Sequence, residues 1–268
     1  MEALRQVDGW PSAHAAVAMI AADGSTATHG DVERLFAWAS VTKLATAVAA
    51  LVAVEEGIVA LDEAAGPPGS TVRHLLAHAS GLPFDGETPI VAPGTRRIYS
   101  NAGFEALAAH VAWAAAMPFA DYFRAVWGFP LMGSPAHGVE APLARLIDVA
   151  RELLVPTRVS RDTLDDAATV QFAGLDGVLP GFGRQDPNDW GLGFELRDGK
   201  GPHWTGARNS PRTFGHFGRA GGFLWVDPEA GVALACLTDL DFGDWSKDAW
   251  PRLADAVLVE HHQPDLSR

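Results

Sequence analysis

The stretch Val41–Gly57 constrains this chain more than any other. It reads as a helix, because alanine and leucine dominate, Glu55 and Glu56 end the run and Gly57 supplies a C-cap. Apolar residues surround the whole helix axis instead of forming one stripe, so the helix must be buried on all sides. Its strongly apolar part, Leu44–Val54, is far shorter than the roughly 20 residues that cross a bilayer. The burial therefore has to come from protein, and a fold is required that wraps further layers around a central helix. A chain of 268 residues, 48% hydrophobic and 20% charged, is long and apolar enough to supply them.

The flanking patterns say what those layers are. His14–Ala21, Asp23-Gly24 and Thr26–His29 read as an antiparallel hairpin, with Asp-Gly supplying the positive-φ residues that a two-residue turn needs. Between Leu61 and Gly183 helical patterns alternate with Pro/Gly-rich loops, and helices are expected over Thr71–Ala79, Ala102–Ala116, Phe119–Val126 and Pro142–Val155. Strands are expected over Trp190–Leu196, Arg212–Phe217, Gly222–Val226 and Val232–Thr238, the last two joined by a turn at Asp227–Gly231. Ser246–His261 closes the chain as an amphipathic helix. This order defines an α+β fold in which both chain ends meet in one antiparallel sheet flanked by helices, with a helical region inserted. We expect one composite unit over residues 1–268, its sheet part from about 1–60 plus 184–268 and its helical part from about 61–183.

Charge and cysteine usage narrow the partners. A formal net charge of −13 with no basic run repels phosphate backbones and anionic surfaces, which argues against nucleic acid and membrane partners. The single cysteine, Cys236, makes an intrachain disulfide impossible and fits a reducing compartment. Ala13–Ala22 is weakly apolar, lacks a strong basic flank and ends in Asp23-Gly24, so we read no signal peptide and expect a cytoplasmic protein.

Chemistry enters at Ser40-Val41-Thr42-Lys43, at the start of the buried helix. A spacing of three places the hydroxyl and the ammonium on one face, about one turn apart. Taken alone the pair is more often an N-cap and a solvated charge. However, the chain uses three lysines against seventeen arginines, and one of the three sits in an apolar helix. A desolvated lysine can lose its proton near neutrality, whereas arginine cannot, and a serine nucleophile needs a base. Two further segments are ambiguous singly. Pro93–Asn101 is a turn, a short extended piece and a helix start that carries Tyr99, one of two tyrosines, and Asn101, which reads equally as a helix cap. Gly215–Gly222 runs from one expected strand toward the next, and its glycines allow either close backbone approach to a ligand or a bulge.

In this order, Ser-x-x-Lys at a buried helix start, Tyr-x-Asn after a Pro-Gly turn and His-x-Gly at a C-terminal strand resemble the penicillin-recognising serine hydrolases. The likeness is to the branch of class C beta-lactamases, DD-carboxypeptidases and related esterases, whose class A cousins carry related signatures. Leu35–Ala39, Thr71–Pro83 and Trp190–Phe194 add to it, so the resemblance spans nearly the whole chain. It implies a beta-lactamase/transpeptidase-like fold and an acyl-enzyme on Ser40, with Lys43 and Tyr99 as coupled base and proton shuttle. It further implies Asn101 as a ligand of Lys43 and of the substrate carbonyl, and His216-Phe217-Gly218 as the strand edge along which substrate lies. The backbone N–H groups of Ser40 and Arg219 would form the oxyanion hole. The third motif departs from its usual lysine and threonine: Phe217 removes a hydroxyl that could bind a substrate carboxylate, which counts against efficient beta-lactam hydrolysis.

The resulting expectation is a carboxylesterase-like hydrolase of small esters or amides that needs no cofactor and no metal. Beta-lactamase or D-alanyl-D-alanine carboxypeptidase activity is one alternative, and a non-catalytic acyl- or penicillin-binding module is another. His74 and His78, four apart on an expected helix, lack a third ligand for zinc; the resemblance makes His78 structural. His261-His262 reads as a solvated tail, and the scattered tryptophans as core and pocket lining.

Overall fold

The structure is a computed structural model that describes residues 1–262. In chain order, a 3-10 helix at Ala3–Gly9 precedes β1 (Ala15–Ala21), β2 (Thr26–Gly30) and β3 (Leu35–Ala37). A second 3-10 helix at Ala39–Val41 leads into α1 (Thr42–Glu55), followed by α2 (Val72–Leu76), α3 (Asn101–Ala114) and α4 (Phe119–Trp127). Next come β4 (Glu140–Pro142), α5 (Leu143–Leu154), α6 (Arg161–Ala167), β5 (Gly177–Leu179), β6 (Gly183–Gln185) and β7 (Glu195–Leu196). The chain then runs through β8 (Phe214–Phe217), β9 (Phe223–Asp227) and β10 (Val232–Thr238) to α7 (Asp244–His262).

The first of two compact units comprises Met1–Ala37, Ala141–Val155 and Arg197–Arg268, of which residues 263–268 lie outside the described residues. Its antiparallel strands run in the order β2-β1-β10-β9-β8, so N-terminal and C-terminal strands share one sheet, as the patterning requires. Val17 faces Cys236 and Ala18 faces Ala235 across β1 and β10. Every residue of β10 and all but the first of β1 are buried, the mark of central strands covered on both faces. Edge strand β2 instead alternates between exposed and half-buried residues. One cover is α5, whose Leu143, Leu146, Ile147, Ala150 and Leu153 recur at helical spacing and pack on β1, β9 and β10. The opening hairpin differs from a two-residue turn. Ala21 N–H donates to Ser25 O at 2.9 Å, Gly24 alone takes a positive φ of 89°, and the Asp23 carboxylate accepts from Ser25 N–H. This is a three-residue loop with a glycine bulge, in which Asp23 serves as a side-chain acceptor.

The second unit comprises Trp38–Glu140 and Pro156–Leu196. Here α1 is buried along nearly its whole length and packs against α3 and α4. It ends as expected: Gly57 (φ 71°) donates to Val54 O and Ile58 to Ala53 O, which satisfies two of the last carbonyls. The division therefore differs from the expected one. Residues 38–60 group with the helices because α1 packs there, and α5 groups with the sheet because it covers β1, β9 and β10. The strand expected over Trp190–Leu196 is confined to β7. Gly191 N–H donates to Phe194 O and Gly193 takes φ 86°, so a tight turn folds Trp190 back to pair with Glu195. α2 is likewise shorter than the helix expected over Thr71–Ala79, because His78 turns left-handed at φ 54°. α6, capped by the Ser160 hydroxyl, and the β5–β6 hairpin were not anticipated. His261 and His262 form the last turn of α7 rather than a tail. Among the described residues no helix is long and apolar enough to cross a membrane.

Candidate active site

Local structure pins Ser40 before any chemistry is considered. Trp38 is fully buried, its N–H donates to Val139 O at 3.0 Å, and Val139 N–H donates in turn to Thr42 Oγ1 at 3.2 Å. Between these two anchors Ala39 adopts φ 45°, a left-handed conformation that a residue with a Cβ rarely takes and that tends to persist where surrounding structure enforces it. Ser40 thus enters α1 through one 3-10 turn with its hydroxyl toward Lys43, whose Nζ lies 3.3 Å away.

Lys43 is fully buried. Its Nζ donates to Asn101 Oδ1 at 2.7 Å and to Ala136 O at 2.9 Å, and Ser40 Oγ takes the third direction. It also lies 4.8 Å from the centre of the Tyr99 ring and 5.6 Å from that of Phe104. Burial brings the Lys43 ammonium down to about 7, while the more distant Asp85 and Glu105 pull it upward. Burial pushes the Tyr99 phenol well above its ordinary value, and the Ser40 hydroxyl offsets part of that rise. Two neighbours are thereby driven apart: an amine that sheds its proton near neutrality and a phenol that keeps one.

The amide of Asn101 is oriented by its two partners, since Oδ1 accepts from Lys43 and Nδ2 donates to Asp85 Oδ1 at 3.2 Å. Asp85 and Glu105 share the wall of a cavity of about 640 Å³ with Glu87, Asn101, Ala106 and His137. Glu105 accepts from the Ser134 hydroxyl, and Ser134 Oγ accepts from Ala136 N–H at 3.1 Å. The Asn101 amide is therefore backed by a carboxylate directly, and the peptide that leads into Ala136 is tied to a second one through Ser134. Asp85, Glu105 and the Ala136 carbonyl escaped sequence reasoning, because an isolated acid and a backbone oxygen leave no spacing pattern.

Behind Tyr99, Arg97 is buried and donates to the carbonyls of Ala77, Asn188, Gln171 and Phe172. His74 pairs with Thr71 and stacks on Phe172, whereas His78 Nδ1 accepts from Ser100 N–H. These two histidines make different contacts, and among the described residues no group of three or more His, Cys, Asp or Glu is placed to hold a metal ion.

Ser40, Lys43, Tyr99 and Asn101 are brought together in the second unit; His216, Phe217, Gly218 and Arg219 lie in the first, at the end of β8 and in the turn after it. His216 Nδ1 lies 2.6 Å from the Phe217 carbonyl. The Phe217 ring packs among Trp204, Phe242 and Trp250, which gives this apolar side chain a role in the core beside α7. Gly218 and Gly222 close the turn through a 2.8 Å backbone bond, and Gly221 is required there, since a Cβ would sit 1.9 Å from Leu240 O. The Arg219 side chain is exposed and approaches Asp241 at 3.6 Å.

The antiparallel sheet, its helices and the Ser-x-x-Lys helix start are those of a serine hydrolase of the beta-lactamase/transpeptidase fold. The Beta-lactamase family model matches residues 7–258, and the chain belongs to that family of serine hydrolases. A beta-lactamase from Mycobacterium bovis is similar at 54% identity and a TM-score of 0.95, over 97% of this chain and 100% of that one. A mutant of simvastatin synthase from Aspergillus terreus shares the fold at 17% identity and a TM-score of 0.78, over 98% and 96% of the two chains. EstCE1, a hydrolase with promiscuous acyltransferase activity, does so at 15% identity and a TM-score of 0.76, over 96% and 97%. No curated protein matches the chain.

Proposed function

We propose that this protein is a carboxylesterase-like hydrolase that cleaves small esters or amides through an acyl-enzyme on Ser40. The observation that carries the reading is the set of three partners around Lys43 Nζ. Two of them, Asn101 Oδ1 and Ala136 O, can only accept. A neutral amine has two N–H donors and one lone pair, so with both carbonyls served the lone pair faces the third partner, the Ser40 hydroxyl. Lys43 is then the base that takes the Ser40 proton as Oγ bonds to the substrate carbonyl carbon.

Tyr99 keeps its proton at neutral pH and hands it to the departing alkoxide or amine while recovering one from the Lys43 ammonium. The C–O or C–N bond breaks as that proton arrives, leaving Ser40 acylated. Water then attacks the acyl carbon, its proton returns through the same pair, and the acid leaves with Ser40 restored. His216, Phe217, Gly218 and Arg219 carry in this proposal the substrate-binding and oxyanion roles that the family implies. A cytoplasmic site of action is part of the proposal and is tested by cell fractionation.

The 54% identity to a protein described as a beta-lactamase favours beta-lactam hydrolysis as a second reading. Intact-mass spectrometry separates the two: wild type and Ser40→Ala are incubated with a p-nitrophenyl ester, a cephalosporin and a fluorophosphonate while chromophore release is followed. Adducts lost in the variant, with steady ester turnover and slow cephalosporin cleavage, are the expected result. Fast cephalosporin turnover supports the second reading. A single burst without turnover indicates an acyl-binding module, and no adduct on Ser40 with any probe refutes the acyl-enzyme.

A further inference from the structure

We propose that His78 is a positioning residue for the proton relay, holding Tyr99 in place by accepting the backbone N–H groups of the residues on both sides of it. The inference rests on the acyl-enzyme reading above. Ile98 N–H donates to the His78 carbonyl at 2.9 Å, and Ser100 N–H donates to His78 Nδ1 at 3.1 Å. Those N–H groups belong to the two residues that flank Tyr99, and the imidazole itself lies 4.7 Å from the Tyr99 ring. On its other sides the imidazole meets Trp190 at 4.7 Å and Phe104 at 5.3 Å, and the residue is 1% exposed. An Nδ1 that accepts an N–H bond carries no proton, so this ring acts as a fixed acceptor.

The backbone of His78 points the same way. It follows the C-cap of α2 at φ 54°, and its N–H and that of Ala79 close the helix onto Leu75 O and His74 O. Glycine is the usual occupant of that position, with asparagine the next best tolerated. Ending the helix needs no imidazole there. A bulky residue held left-handed is better explained by its side chain, which reaches the N–H of Ser100 while its carbonyl receives that of Ile98. Residues 101 and 102 are held separately, by donation to Phe84 O, so His78 governs the residue whose phenol must meet Ser40.

The test measures kcat, KM and melting temperature for His78→Gly and His78→Asn, each alone and combined with Tyr99→Phe. Glycine keeps the left-handed backbone and the Ile98 bond but deletes the ring acceptor; asparagine keeps the backbone and offers Oδ1 to Ser100 N–H. His78→Gly is expected to lower kcat about 100-fold, the scale of a 1 Å misplacement, with KM changed less than about threefold. His78→Asn should recover kcat to within about tenfold of wild type, and with Tyr99→Phe in place His78→Gly should cost less than about threefold more. Losses that multiply in the double variant show a general structural role and overturn the inference. So does a folded His78→Asn whose kcat stays more than about tenfold below wild type, and that arm decides alone if His78→Gly does not fold. A crippled Tyr99→Phe beside an unimpaired His78→Gly rejects His78 only, whereas an unimpaired Tyr99→Phe rejects the relay itself.

Discussion

Replacing Lys43 by methionine tests whether the buried amine is a base. Lys43 is 0% exposed, and burial brings its ammonium from 10.5 to about 7. Between those pH values the unfolded chain carries a proton on this side chain that the folded chain has shed. Unfolding then takes up a proton, so raising the pH favours the folded state. The full interval is worth about 5 kcal/mol at about 1.4 kcal/mol per pH unit, and the accessible part from pH 7 to 9 about 2 kcal/mol. Methionine is unbranched, similar in length and does not titrate. It leaves Asn101 Oδ1 and Ala136 O without this donor, but that cost does not vary with pH. Urea unfolding of both proteins at pH 7, 8 and 9 should therefore show the wild type gaining about 2 kcal/mol on Lys43→Met, a midpoint shift of about 0.7 M for a slope near 3 kcal/mol/M. A difference that stays flat with pH would show that the ammonium keeps its charge in the fold, and the base role would fall with it.

Lys43→Arg keeps a cation but cannot deprotonate; we expect no Ser40 adduct by intact-mass spectrometry, and an acylated variant would refute the proton assignment. kcat/KM for ester cleavage should drop tenfold per pH unit below about 7. Because Asp85 raises the Lys43 value, Asp85→Asn should move that acid limb to lower pH, and a limb displaced upward would contradict the sign. Gly193→Ala places a Cβ 2.2 Å from that of Ala47 at φ 86°; we expect a loss of about 2–4 kcal/mol, visible as a lower thermal midpoint, and an unchanged melt would show that α1 has room to shift.

Much of the architecture was legible because it rests on short-range rules. Val41–Gly57 had to be a buried helix once its apolar residues circled the axis, and its glycine closure follows from positive φ at Gly57. β10 coincides with the expected Val232–Thr238 because a short, continuous apolar run fits a strand covered on both faces. Where short range failed, a local choice had been settled elsewhere: Trp190–Leu196 carries strand-like residues, yet Gly193 bends it where its Cα meets α1 at Ala47.

For the candidate site, the sequence singled out Ser40 and Lys43 by their spacing and by a lysine that arginine did not replace, and the resemblance of the motif order to a known family added Tyr99 and Asn101. Only tertiary structure determined what those groups can do. The proton affinity of Lys43 depends on how completely it is buried, and the direction of its lone pair on Asn101 Oδ1 and Ala136 O, brought in from 58 and 93 residues away. Sequence states which groups are present, whereas desolvation and hydrogen-bond direction belong to the folded neighbourhood, and those decide which group holds the proton.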